Sequence, residues 1–130
     1  MPLSAQTVKD LRVFANQVRL AGDFTLVLDA NNLNNIQATG GDEIAVLRLD
    51  ATGTARSVTG FAGGADGRLL LVLNVGTADT ITIVDQSASS SAANRVRTPN
   101  AGGLAVRYGG GALLVYDAVT SRWHSVAASL

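Results

Sequence analysis

The sequence predicts an all-β fold, an antiparallel β-sandwich of jelly-roll type. Three observations support this. Apolar and polar residues alternate with period two along most of the chain, as half-buried strands do. Gly, Asp and Asn turns separate the alternating runs at spacings near ten residues, room for seven or eight short strands. No alternation of strand with helix marks a parallel sheet.

Taken in order, residues 1–22 form an N-terminal segment or arm, and 23–130 form one sandwich domain. Within the first segment, Val8, Leu11, Ala15 and Val18 fit a helical stripe with Ser4 as N-cap. Leu11 with Val13, and Val18 with Leu20, fit strands as well, and the β-branched positions and the Gly22-Asp23 turn tilt the balance that way. Phe24, Leu26 and Leu28 then share one strand face, followed by the Asn31–Asn35 segment and a Gly40-Gly41-Asp42 turn. From Ile44 to Asp50 the apolar face is Ala45, Leu47 and Leu49, and the polar face is Arg48 and Asp50. Arg56 to Phe61 is a short strand leading into Gly63-Gly64-Ala65-Asp66-Gly67, where Asp-Gly is turn chemistry.

A central hairpin is expected next. Leu69, Leu71, Leu73 and Val75 line one face of its first strand, and Leu70 and Val72 fill the middle of the other. Gly76-Thr77-Ala78-Asp79 is the connecting loop, and Thr80 to Val84 the returning strand. A strand apolar on both faces needs a second cover, from another sheet or another subunit, so Leu70 and Val72 are candidate interface residues. Ser87 to Asn94 holds at most one helical turn. Ala105–Tyr108, Leu113–Asp117 and Trp123–Ala127 supply the last strands.

Composition narrows the function. At 130 residues the chain suits one domain that buries about two-thirds of its unfolded surface. Only 15% of residues are charged, against a typical quarter, and such a thinly charged surface suits one covered by a partner. Ten basic and ten acidic residues cancel, so no net field steers the chain to nucleic acid or an anionic membrane. Nine of the ten basic residues are arginine, which suits interfaces, although a GC-rich genome gives the same bias. With no cysteine, disulfides and thiol chemistry are excluded. The opening M-P-L-S-A-Q lacks signal-peptide character and no apolar run is long enough to span a bilayer, so synthesis in the cytoplasm is expected.

Chemistry is sparse. His124 is the only histidine, and no G-x-S-x-G elbow supplies a nucleophile to join it and Asp117. Asp66, Asp79, Asp85 and Asp117 sit at turns or strand ends, outside any calcium-loop pattern, where turn bonding accounts for them. The glycines at 60, 63 and 64 precede no G-K-[ST]. No enzymatic activity, cofactor or metal site is therefore expected. Arg95 and Arg97 share one face of an extended Asn94-Arg95-Val96-Arg97 segment, suited to pairing with a neighbouring subunit.

The order of motifs is more telling than any one of them. G-G-A-D-G-R (63–68) is followed by apolar-N-V-G ending at Gly76, then T-I-T-I (80–83), a Ser/Ala run closing on A-N-R (93–95), and finally Y-D (116–117) and R-W (122–123). That order resembles a module of bacteriophage virion proteins and covers roughly half the chain. The resemblance implies a β-rich component of head decoration, tail-fibre or receptor-binding parts, commonly trimeric, and it transfers no catalytic residue. It leads to the expectation of a capsid decoration (cement) protein on the virion surface, a homotrimer bound to the major capsid protein. The 1–22 arm would lie on the capsid or a neighbour. The alternative is a tail-fibre or baseplate module that recognises a cell-surface glycan through Tyr116 and Trp123. Thr98–Gly103 is a polar linker outside the family pattern.

Overall fold

The computed structural model describes residues 20, 22–29, 33–37 and 44–129. The expectations for residues 1–19, for Asn31-Asn32 and for the Gly40-Gly41-Asp42 turn lie outside these. Nine strands and two single-turn 3-10 helices make up the regular structure of the described residues. The strands are β1 (Asp23–Leu28), β2 (Val46–Ala51), β3 (Arg56–Val58), β4 (Leu69–Asn74), β5 (Ile81–Ile83), β6 (Val96–Arg97), β7 (Leu104–Val106), β8 (Gly111–Asp117) and β9 (Arg122–Ala128). The protein is all-β.

The strands form two sheets, ordered β1-β2-β4-β8-β9-β6 and β3-β5-β7. In the first, β1, β2 and β4 are parallel; in the second, β3 and β5 are parallel. Parallel bridges from Leu33 to Val58 and from Ile36 to Phe61 carry that stacking one rung further back. Val46 pairs with Leu71, Arg56 with Ile81 and Leu33 with Val58, each partner 25 residues on. The chain therefore winds as a coil of a β-solenoid, laying one segment on each sheet per turn. At the far end the winding reverses: β8 pairs antiparallel with β4 and β9 antiparallel with β8, closing the stack.

This corrects the antiparallel sandwich and its central hairpin. β4 and β5 do not pair; they lie in different sheets. Both edges of β4 are occupied, by β2 on one side and β8 on the other. Asn74 holds the corner between them. Its side-chain amide donates to the Asp79 and Val106 carbonyls, and its Oδ1 accepts from the Gly76 N–H. Three hydrogen bonds at a buried side chain bend the chain away from a hairpin and satisfy a polar group that is otherwise costly to enclose.

The expected strand faces hold. Leu47 and Leu49 turn inward and Arg48 and Asp50 outward, and Phe24, Leu26 and Leu28 line the inner side of β1. The core between the sheets contains Leu49, Val58, Phe61, Leu70, Val72, Ile81, Ile83, Val96, Val106, Leu114 and Trp123. Leu70 and Val72, the candidate interface residues, are thus buried against their own chain. Both belong to the core cluster, where Leu70 lies beside Ile36, Leu47 and Phe61. Linker 98–103 folds back as one 3-10 turn, tied by the Thr98 N–H and hydroxyl to the Asp85 carboxylate.

Candidate functional site

Four of the motif pieces, G-G-A-D-G-R, A-N-R, Y-D and R-W, far apart in the sequence, converge around Trp123, while Asn74-Val75-Gly76 and residues 80–83 lie elsewhere in the coil. The segment after Phe61 wraps over the end of β8. There the Gly67 N–H donates to the Tyr116 carbonyl, and the Tyr116 N–H to the Arg68 carbonyl. Gly64 lies so close to the Tyr116 ring that any Cβ there would collide with it. One Asp66 carboxylate oxygen accepts the Ala118 N–H, fixing this loop to the β8–β9 turn. Arg68 reaches back, donating to the carbonyls of Gly63 and Ile44, and its guanidinium stands 5.8 Å from the centre of the Trp123 ring.

Trp123 is fully buried, and its indole N–H donates to the Phe61 carbonyl at 2.8 Å. Its ring meets Tyr116 edge-on, centroids 5.2 Å apart. The Tyr116 hydroxyl donates to the Ala93 carbonyl, within the A-N-R turn, and the Trp123 N–H donates to the Arg95 carbonyl. These contacts correct the expectation of a glycan platform at Tyr116 and Trp123. Neither ring presents a face to solvent, and both polar tips are satisfied within the chain.

A polar row, buried at Thr59 and Ser90 and reaching the surface at Asn34 and Ser91, runs along one corner of the coil. The Thr59 hydroxyl lies 2.7 Å from that of Ser90 and donates to Asn34 Oδ1, and the Ser90 hydroxyl accepts the Asn35 N–H. Asn35 Oδ1 in turn accepts from the Ser91 N–H and the Asn94 amide. Short hydroxyls and amides fit here because Thr59, Ser90 and Asn35 each answer a backbone group of another rung, while Asn34 and Asn94 bond side chains of the row. Arg95 joins the row by donating Nε–H to the Ser90 carbonyl, whereas Arg97 is exposed on β6 beside His124 of β9. Of the two candidate arginines, one locks its own chain and one faces outward.

The β8–β9 turn brings Asp117, Thr120 and His124 together. Thr120 Oγ1 stands 2.9 Å from Asp117 Oδ2 and 2.8 Å from His124 Nε2, and the two latter atoms are 3.8 Å apart. A catalytic triad needs the acid on the far imidazole nitrogen, orienting it toward the nucleophile. Here acid and imidazole both meet the same hydroxyl, in an exposed turn. The arrangement is a turn lock: Asp117 also accepts the Val119 N–H, and the Thr120 hydroxyl, then that N–H, hold its carboxyl below the usual range.

Asp117 spends its carboxylate on its own turn, Asp66 on the Ala118 N–H and Asp85 on Thr98, and no three metal-ligating side chains cluster among the described residues. A polar cleft of about 380 Å³ lies at the turn after β7 and is lined by Arg107, Tyr108, Gly109, Gly110 and Ser129. Tyr108 is 57% exposed there. Sequence reasoning passed over this tyrosine because a single aromatic before three glycines carries no pattern. It also missed the outer face of β4 and β8, where Leu69, Leu71, Leu73, Leu113 and Val115 lie side by side; the doubly apolar run of β4 was its signal. No family model, curated protein or solved structure matches the chain.

Proposed function

We propose that the protein is a bacteriophage virion component that decorates the outer head surface as a homotrimer. It binds the assembled lattice of the major capsid protein and bridges adjacent capsomers. One observation supports this reading: four separated pieces of the virion-module pattern, G-G-A-D-G-R, A-N-R, Y-D and R-W, pack into one unit around Trp123. Gly64 sits against Tyr116, Asp66 holds the β8–β9 turn, and the A-N-R turn receives the Tyr116 hydroxyl. A resemblance resting on motif order gains weight when the ordered pieces touch. Each of them makes a turn or a packing contact, as suits a protein that acts by binding.

A cement protein binds the assembled lattice and not its dissociated subunits, so mass action stabilises the lattice. Particles lacking the protein should adsorb to cells normally and release DNA at a lower temperature. With no net charge, attachment should rest on apolar and hydrogen-bonded contacts and respond weakly to moderate salt. Removing residues 2–20 should weaken capsid binding more than self-association, if that segment is the arm.

The competing reading, a tail-fibre or baseplate module recognising a cell-surface glycan, would have to use Tyr108 and Arg107 at the open cleft, since Tyr116 and Trp123 are enclosed. Heat challenge and adsorption assays on deletion particles separate the two. Unchanged heat tolerance with abolished adsorption would overturn the cement role.

A further inference from the structure

The outer side of the six-stranded sheet is an apolar surface with an asymmetric rim. Strand side chains alternate, so with Leu70, Val72 and Leu114 turned into the core, Leu69, Leu71, Leu73, Leu113 and Val115 turn out. The register sets Val46, Leu71, Leu113 and Ala127 in one row across four strands, and Leu69 beside Val115 in the next. None of these side chains belongs to the buried core, and Leu69 is 44% exposed. A contiguous apolar patch on a sheet face marks an interaction surface.

The rim carries opposite signs on its two sides. On the β1–β2 flank, Asp23 sits next to Val46 and Asp50 next to Val27, while Arg48 is tied to the Thr25 hydroxyl. On the β9–β6 flank, Val115 is followed across the sheet by His124 and then Arg97, with Arg122 one row further. The acid of this flank, Asp117, is engaged by its own turn.

We infer that this face is a self-association surface whose occupant is a second copy of the chain. Cyclic assembly places one flank of each copy against the opposite flank of the next. The acidic β1–β2 edge of one protomer then meets the basic β9–β6 edge of its neighbour, and the apolar centres close around the axis. A lipid surface would be matched by one flank and repelled by the other. A trimer as the count rests on the virion reading above; the surface itself does not.

Sedimentation of the purified full chain at micromolar concentration tests this. The expected species has about three times the 13.3 kDa mass of the chain. Leu71→Glu with Leu113→Glu should weaken association at least about 100-fold, because two carboxylates would be enclosed without partners. Both positions face outward, so the near-ultraviolet signal of Trp123 should persist and report an intact fold. Asp23→Arg alone and Arg97→Asp alone should each weaken assembly, and the two together in one chain should restore it. A wild-type monomer, an oligomer untouched by the Leu71/Leu113 changes, or no rescue by the paired reversal would overturn the inference. A monomer that still stabilises particles would remove the self-association and leave the cement role standing. An oligomer that behaves as described but never binds particles would do the opposite.

Discussion

Leu70 and Leu71 are neighbours of one residue type on one strand, and the fold sends them to opposite surroundings. Leu70 lies in the core beside Leu47 and Phe61, 4% exposed; Leu71 stands on the outer face between Val46 and Leu113. The same contrast holds along β8 for Leu114 and Leu113. Inside, an apolar side chain fixes which sheet packs on which. Outside, it stays partly open to solvent and joins no second sheet among the described residues. Apolarity alone says nothing about which of these a residue does; register does.

That contrast is broken most sharply at Trp123. Truncation to alanine removes the ring that Tyr116 and Arg68 contact and leaves a cavity, so Trp123→Ala should cost about 3–5 kcal/mol in urea or thermal unfolding. Next comes the paired comparison. Leu70→Ala should cost about 2–5 kcal/mol, while Leu71→Ala, measured in dilution where copies are apart, should stay within about 0.5 kcal/mol. Similar losses for both would mean the outer face is covered by its own chain. Asn74→Ala leaves the Asp79 and Val106 carbonyls and the Gly76 N–H without their partner, for an expected loss of about 1–3 kcal/mol.

The smallest effect lies on the polar side of the outer face. Thr120→Ala removes the main contact holding the Asp117 carboxyl low, so its titration, followed by NMR, should move upward. Because the folded value is depressed, the contribution of Asp117 is present above its unfolded pKa and is lost as pH falls through the folded one. Thr120→Ala should therefore narrow the acid window in which stability falls: the small contribution it removes should be missing near neutrality, and mutant and wild type should converge at the acid end.

Strand positions and strand faces were legible in this sequence, because alternation in Leu47-Arg48-Leu49-Asp50 or Thr80-Ile81-Thr82-Ile83 depends only on neighbouring residues. Strand partners were not. Period two says nothing about which strand lies alongside, and the 25-residue recurrence is carried by spacing without identity. Arg48 lies beside Leu73, and Arg56 beside Ile81. The hairpin expected at residues 69–84 failed for this reason, since the buried corner set by Asn74 looks in sequence like an ordinary turn. Tyr116 and Trp123 misled in the same way. Nothing local reveals that β6, the A-N-R turn and the loop after Phe61 enclose them. The interface expectation named the side of β4 that its own chain buries.

The reversal of winding at β8 also bears on how the molecule is made. Parallel pairing between coils joins residues 25 apart and is slow to find, whereas β8 and β9 are linked by a four-residue turn and can zip up locally. During synthesis, however, that hairpin is the last of the described elements to emerge. Until it docks, the β4 edge displays unpaired N–H and C=O groups, a template for any other strand. The hairpin thus acts as a stopper that arrives late. Nascent chains halted before Gly111 should be the aggregation-prone species, and productive folding should proceed from the late hairpin back toward the first coil.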